Sequence, residues 1–364
     1  MTSNDHAAKD KINRLARVCI LVLLIFAILS GSTACSRNEQ SKTTMRVLCA
    51  DSLMVPLLEL EKAFEEKHPA IDVLTEGHGS IQVIRHVTEL SEKAEIVAVA
   101  DHVIIPMLMY TTNVPGTQEK YTSWYVKFAG NVLGIAYKRG SKYADEINSD
   151  NWYEILSRPD VRIGFADARL DSCGYRTLMV LQLAERYYNK DSILENILGQ
   201  FSPRLGIDKS DTITINIPEI LRPESDRVLM RGSSMRLIAL LEAGEIDYFF
   251  EYRSVTEQHN FSFLALPSEI NLGSEHPEWY GKVKCTMDFQ RFSSIQPEFI
   301  GEPIIYGITI PRNAPVYDKA VLYIEFLLGP EGRKIFFNNY QPLLTPVQAD
   351  NETEVPAEIK ALLK

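Results

Sequence analysis

Residues 46–100 read RVLCADSLMVPLLELEKAFEEKHPAIDVLTEGHGSIQVIRHVTELSEKAEIVAVA, and the period of the apolar residues decides the fold. Arg46–Ala50 is a short apolar run of strand length, and from Ser52 onward Val55, Leu58 and Phe64 fall at helical spacing. Ile71–Thr75 is a second strand, Ile81, Ile84, Val87 and Leu90 mark a second helix, and Glu95–Ala100 is a third strand. The pattern persists downstream. Asn131–Tyr137, Val161–Phe165, Glu245–Phe250, Phe261–Leu266 and Ile304–Ile310 read as strands. Gly174 to about Tyr188, Val316–Leu328 and Pro330–Tyr340 read as helices, the last two divided at Gly329. Strands alternating with helices predict an α/β fold of mainly parallel sheets with right-handed crossovers.

The chain has 364 residues, of which 45% are hydrophobic and 24% charged, which excludes a disordered or low-complexity protein. At about 150 residues per domain it has room for about two cores. A formal net charge of −10 argues against nucleic acid as a partner.

The N-terminus stands apart from this pattern. Lys9, Lys11, Arg14 and Arg17 precede Val18–Leu29, an uncharged apolar run of 12 residues, and then Ser30-Gly-Ser-Thr-Ala-Cys35. A basic flank, a short apolar core and small residues form a secretory signal over 1–34. Spanning the hydrocarbon would take about 20 residues. Ser-Thr-Ala-Cys resembles a lipoprotein cleavage box with Cys35 as the lipid-bearing residue, although Ser32 stands where Leu is usual; an uncleaved peptide anchor is the alternative. Residues 35–43 are a polar tether. Removing 1–34 takes away four basic and two acidic residues and leaves a net charge of −12. The folded region of the exported part holds Cys49, Cys173 and Cys285 without a C-x-x-C pair, so no disulfide framework or zinc knuckle is expected. Asn260-Phe-Ser and Asn351-Glu-Thr are glycosylation sequons.

Four polar residues follow strands. Ser52 lies just past the first, Ser80 closes Gly77-His-Gly-Ser beyond the second, Asp171 follows Val161–Phe165, and Glu251 follows Asp247–Phe250. Each is expected between a strand's carboxyl end and the next helix, where open α/β sheets bind ligands. Helix N-termini there present unpaired N–H groups and a partial positive charge suited to an oxyanion. Simple helix capping by the serines and solvation of the carboxylates are the competing readings. The chain lacks G-x-S-x-G, H-E-x-x-H, a Walker A loop and G-x-G-x-x-G, and its histidines show no metal-ligand spacing. With no nucleophile beside a base, a binding protein is expected in place of an enzyme.

Lys142–Phe165, Cys173–Glu185 (CGYRTLMVLQLAE), Phe250–Val255 (FEYRSV) and Tyr306–Pro315 (YGITIPRNAP) resemble the archaeal tungstate/molybdate-binding proteins, the extracytoplasmic components of ABC transporters. The resemblance spans about residues 45–345. It implies a periplasmic-binding-protein-like fold (type II) of two α/β lobes that close on the anion, with crossings near Phe128–Asn131 and Phe261–Ser268. Lobe one would be 44–127 with 266–364, and lobe two 128–265. It further implies that Ser52 and Ser80 hydrogen-bond the oxyanion while Asp171 and Glu251 ligate its metal. The partners it implies are a membrane permease and an ATPase, with a monomeric binding protein, no nucleic acid and no cofactor beyond the carried ion. Asp51, where a small residue usually precedes the serine, and Ser172, in place of a Pro, depart from the family pattern.

Two carboxylates facing a dianion repel it unless their oxygens bind its central atom. Tungsten and molybdenum are hard, oxygen-preferring centres that expand their coordination, whereas sulfur and phosphorus in tetrahedral oxyanions do not readily do so. Asp171 and Glu251 would thus attract molybdate or tungstate and repel sulfate. The alternatives are a Ca²⁺ or Fe³⁺ site built from Asp51, Asp171 and Glu251, and a lipid-anchored hydrolase with the carboxylates as acid and base. Tungstate and molybdate, nearly equal in size and charge, are not separated by this reasoning.

Overall fold

The strand Ile96–Val99 (IVAV) is buried at every residue, as expected where helices cover both faces of a sheet. A computed structural model describes residues 42–288 and 297–363 of the chain. The expected signal 1–34, Cys35 and the tether through residue 41 lie outside the described residues.

Ile96–Val99 belongs to a six-stranded sheet in the order Leu343–Ala349, Val126–Gly130, Ile305–Thr309, Ile96–Val99, Thr43–Ala50, Ile71–His78. The helix Met54–Lys67 turns Leu57, Leu60 and Phe64 inward at helical spacing. The Phe64 ring meets Tyr323 edge-on at 5.1 Å, which ties this helix to the later helix Tyr317–Leu328.

A second sheet has five strands in the order Val228–Arg231, Ile163–Ala166, Tyr248–Tyr252, Leu133–Tyr137, Ser262–Ala265. Beside it the helix Ser172–Tyr188 is buried continuously from Ser172 to Glu185. Its uniform burial has a cause: it also packs against a small third sheet, Glu298–Ile300, Val283–Met287, Ile213–Ile217, Gly206–Lys209. The sequence reading did not anticipate that third sheet. Val283–Met287, from the stretch assigned to lobe one, pairs in parallel with Ile213–Ile217.

Neither main sheet is mainly parallel, contrary to expectation. Thr43–Ala50 runs parallel to Ile96–Val99, but Ile305–Thr309 is antiparallel to both of its neighbours, and Leu343–Ala349 is antiparallel to Val126–Gly130. In the second sheet Tyr248–Tyr252 is parallel to Ile163–Ala166 and antiparallel to Leu133–Tyr137. The reason is that the chain passes between sheets. Val126–Gly130 lies in the first and Leu133–Tyr137 in the second, with two residues between them. A strand entering from the other sheet has no helical crossover to fix it parallel. Cys49, Cys173 and Cys285 are free and buried.

Candidate functional site

The strand-end rule locates three of the four expected residues. Ser52 lies in the turn Asp51–Leu53 directly after Thr43–Ala50, Ser80 opens the helix Ser80–Thr88 two residues after Ile71–His78, and Asp171 is the N-cap of Ser172–Tyr188. Glu251 departs from expectation: the strand runs two residues past Phe250, so Glu251 sits inside Tyr248–Tyr252. All four are buried, Glu251 fully. Burial excludes the reading of Asp171 and Glu251 as solvated surface groups.

Neither serine caps a helix. Ser80 Oγ accepts a 3.0 Å hydrogen bond from the Ala100 N–H, and Ser52 Oγ shares a 3.1 Å hydrogen bond with the Tyr306 hydroxyl. The helix Ser80–Thr88 therefore begins without a side-chain cap, as does the turn at Ser52. Gly79 brings the two sheets together. A Cβ there would lie 2.3 Å from the Leu170 carbonyl oxygen and 3.3 Å from the Asp171 Cα. The loop before Ser80 thus rests directly on the backbone that carries Asp171, and only glycine permits this approach.

Asp171 is held at both oxygens: Oδ1 accepts from the Cys173 N–H at 2.9 Å and Oδ2 from the Ser234 N–H at 2.8 Å. Burial pushes its carboxyl up to about 6; those two N–H groups oppose the shift, the Asp51 charge adds to it and Arg176 opposes it. Glu251 is less well satisfied. Its Oε1 accepts from the Tyr252 N–H at 2.7 Å, whereas its buried Oε2 has no hydrogen-bond partner among the described residues. Burial pushes Glu251 up to about 8, against the Tyr252 N–H and the Ser234 hydroxyl, and the Asp171 and Asp51 charges push it further. Ser172 Oγ and Ser233 Oγ are also buried without partners among the described residues. Unpaired buried polar atoms are costly in a protein interior, so each calls for a partner or a compensating role.

The structure adds residues that sequence reasoning missed. Asp101 follows the strand Ile96–Val99, so the strand-end rule applied to it too. Arg176 lies inside the quoted Cys-Gly-Tyr-Arg stretch. Tyr306 and Asn131 fall in the quoted Tyr306–Pro315 stretch and the first crossing, but nothing in the sequence assigned either to the site, and Ser234 carried no signal, because their partners are distant in the chain. Among the described residues no three His, Cys, Asp or Glu side chains converge as a metal-ligand cluster, so Asp51, Asp171 and Glu251 do not form a cation cage.

The molybdate/tungstate-binding protein WtpA of Thermococcus kodakarensis is 38% identical over 365 residues, covering 96% of this chain and 96% of the relative. Its Pyrococcus abyssi counterpart is 39% identical over 364 residues, covering 96% of this chain and 98% of the relative. An uncharacterized solute-binding protein of Petrotoga mobilis is 38% identical over 344 residues, 94% of this chain and 96% of that one. Two solved structures share the two-lobed fold. The Azotobacter vinelandii periplasmic molybdate-binding protein matches with a TM-score of 0.53 at 12% identity, over 82% of this chain and 99% of that one. The Mycobacterium tuberculosis sulfate-binding protein SubI gives 0.53 at 12% identity, over 82% and 87%. Equal likeness to a molybdate and a sulfate binder means that fold alone does not choose the anion. The family model for bacterial extracellular solute-binding proteins matches residues 45–339, in keeping with a binding role outside the cell and not an enzymatic one. The chain belongs to the bacterial extracellular solute-binding protein family.

Proposed function

We propose that this protein captures molybdate or tungstate between its lobes and delivers the ion to an ABC importer. The observation that carries this reading is the Glu251 Oε2: a buried carboxylate oxygen with no hydrogen-bond partner among the described residues, beside the second buried carboxylate of Asp171. A hydrogen-bonding site for sulfate gains nothing from such a pair. A tungsten or molybdenum centre that accepts carboxylate oxygens as ligands gives Glu251 Oε2 a partner and offsets the repulsion between the two acids. In this reading the Ser52 and Ser80 hydroxyls and the uncapped N–H groups beside them bind the anion's own oxygens. Relatives that bear the molybdate/tungstate-binding name at 38% and 39% identity support the same choice of ion.

Lobe one would comprise 44–127 with 266–364 and lobe two 128–265, with Val283–Met287 lying on the third sheet. Ser52 and Ser80 then face Asp171 and Glu251 across a cleft that closes on the ion. The binding protein works as a monomer held at the outer face of the membrane, through a lipid on Cys35 or an uncleaved N-terminal segment. A membrane permease and an ATPase complete the transporter, and the protein needs no cofactor of its own.

Ultrafiltration with tungstate, molybdate, sulfate, Ca²⁺ or Fe³⁺, followed by elemental analysis, tests this reading. Retention of tungsten and molybdenum in stoichiometric amount, with little sulfur, is expected. Retention of Ca²⁺ or Fe³⁺ in their place would establish the cation reading.

A further inference from the structure

Tyr175 and Arg176, in the Cys-Gly-Tyr-Arg stretch, are not assigned as ligands of the ion, yet both reach across to the other main sheet. The Tyr175 hydroxyl donates to Asp101 Oδ2, and Arg176 forms an ion pair with the same oxygen at 3.3 Å. The side chains of Arg176 and Asp101 are only 3% and 4% exposed. Arg176 also donates to the Ala100 carbonyl at 2.7 Å and to the Tyr252 hydroxyl at 2.9 Å. What these two partners hold in turn matters. Ala100 gives its N–H to Ser80 Oγ, and Tyr252 gives its N–H to Glu251 Oε1. One guanidinium is thus bonded to the residues that hold a site serine on one side and a site carboxylate on the other.

We propose that Arg176, Tyr175 and Asp101 form a closing latch that aligns Ser80 with Glu251 and sets how long the ion stays bound. The proposal deepens the capture reading and rests on it for the identity of the ion. When the lobes part, Asp101 separates from Arg176 and Tyr175, and each regains water. When they close, both charges leave water and meet. Desolvation and attraction nearly cancel for a buried pair. The latch therefore does not seal the empty protein, yet losing one partner leaves a buried charge unpaired only in the closed form. Arg176 is a positioning residue, acting on the site through Ala100 and Tyr252.

The test compares wild type with Asp101→Asn and Tyr175→Phe in the full chain. Stopped-flow binding and release of tungstate are measured alongside small-angle scattering and thermal unfolding of the ligand-free protein. Asp101→Asn should release tungstate at least tenfold faster with little change in the association rate. Tyr175→Phe, which keeps the ring stacked on Phe299 at 4.4 Å, should release it several-fold faster. Ligand-free unfolding should be unchanged in both. Release at the wild-type rate in Asp101→Asn overturns the latch, and so does a loss of ligand-free stability that accounts for weaker binding. If wild type itself fails to bind tungstate or molybdate, the capture reading fails. The latch closes on that ion and falls with that reading, whereas a wild type that binds tungstate beside an Asp101→Asn that releases it at the wild-type rate overturns the latch alone.

Discussion

The Ser52 hydroxyl lies 3.1 Å from the Tyr306 hydroxyl, 254 residues away in the chain. Tyr306 also accepts from Asn131 Nδ2 at 3.2 Å, and the same Asn131 nitrogen donates to Ser254 Oγ at 2.8 Å. Asn131 stands where the chain leaves the first sheet for the second, and Ser254 follows Glu251 by three residues. A continuous hydrogen-bonded chain thus links a serine at the end of a first-sheet strand to the helix Arg253–Gln258, which directly follows the strand that bears Glu251. Tyr306→Phe removes the central hydroxyl and keeps the ring. Loss of one hydrogen bond of this kind is worth about 1 kcal/mol, so tungstate affinity should fall several-fold with the fold intact. Titration calorimetry checks this, and an unchanged affinity would mean that Ser52 is oriented without Tyr306.

The contact at Gly79 gives a sharper prediction. Its φ of −59° and ψ of 142° suit any residue, so Gly79→Ala should fold normally. The new methyl would stand 2.3 Å from the Leu170 carbonyl oxygen, which obstructs only the approach of the two sheets. Thermal unfolding of the ligand-free variant should match wild type while tungstate affinity drops more than tenfold. Scattering should show no compaction on adding tungstate. A variant that binds and compacts normally would show that the cleft closes without this contact.

These two cases mark what the sequence could reveal. Ser52, Ser80 and Asp171 were legible because a strand's carboxyl end is a local feature, and the same rule would have found Asp101. Glu251 was legible as a residue but not as part of the strand, because Tyr248–Tyr252 continues through a charge that burial would normally forbid. Tyr306 and Asn131 were not legible, since only the fold brings them together. The third sheet escaped for a related reason. Gly206–Lys209 is exposed at every residue, so it has no apolar alternation to read, and Ile213–Ile217 finds its partner Val283–Met287 far along the chain.

Protonation gives a third prediction. Glu251 at about 8 and Asp171 at about 6 stand above their ordinary values of 4.5 and 3.8. Between about pH 4 and 8 the folded, ligand-free protein therefore holds more protons than the unfolded chain. Their contribution to stability is complete below the ordinary values and is lost as pH rises through 6 and then 8. Denaturant unfolding should show the ligand-free protein losing stability from about pH 4 to about pH 8, with a shallower decline in Glu251→Gln. Ligation requires the ionised carboxylates, so tungstate binding near neutrality should release protons. Calorimetry in buffers of differing ionisation enthalpy measures that release, and proton uptake would contradict the ligation mechanism.

The ion itself should respond differently to the two kinds of site residue. Glu251→Gln nearly preserves size and hydrogen-bonding reach while removing an anionic ligand. If Glu251 binds the metal centre, its loss from a desolvated site should cost at least ~2 kcal/mol, more than tenfold in affinity for tungstate and molybdate alike. Asp171→Asn should act in the same direction. Sulfate should not share that loss. Its sulfur takes no carboxylate ligand, and Glu251 in its charged form only repels it, so sulfate binding should stay weak or improve slightly. Ser52→Ala removes a hydrogen bond that any tetrahedral oxyanion can use, and should weaken all three anions by a similar, smaller factor. Calorimetry of the three variants against tungstate, molybdate and sulfate separates the mechanisms. If Glu251→Gln and Ser52→Ala show the same modest loss for every anion, the carboxylates do not ligate the metal, and the unpaired Glu251 Oε2 belongs to the scaffold.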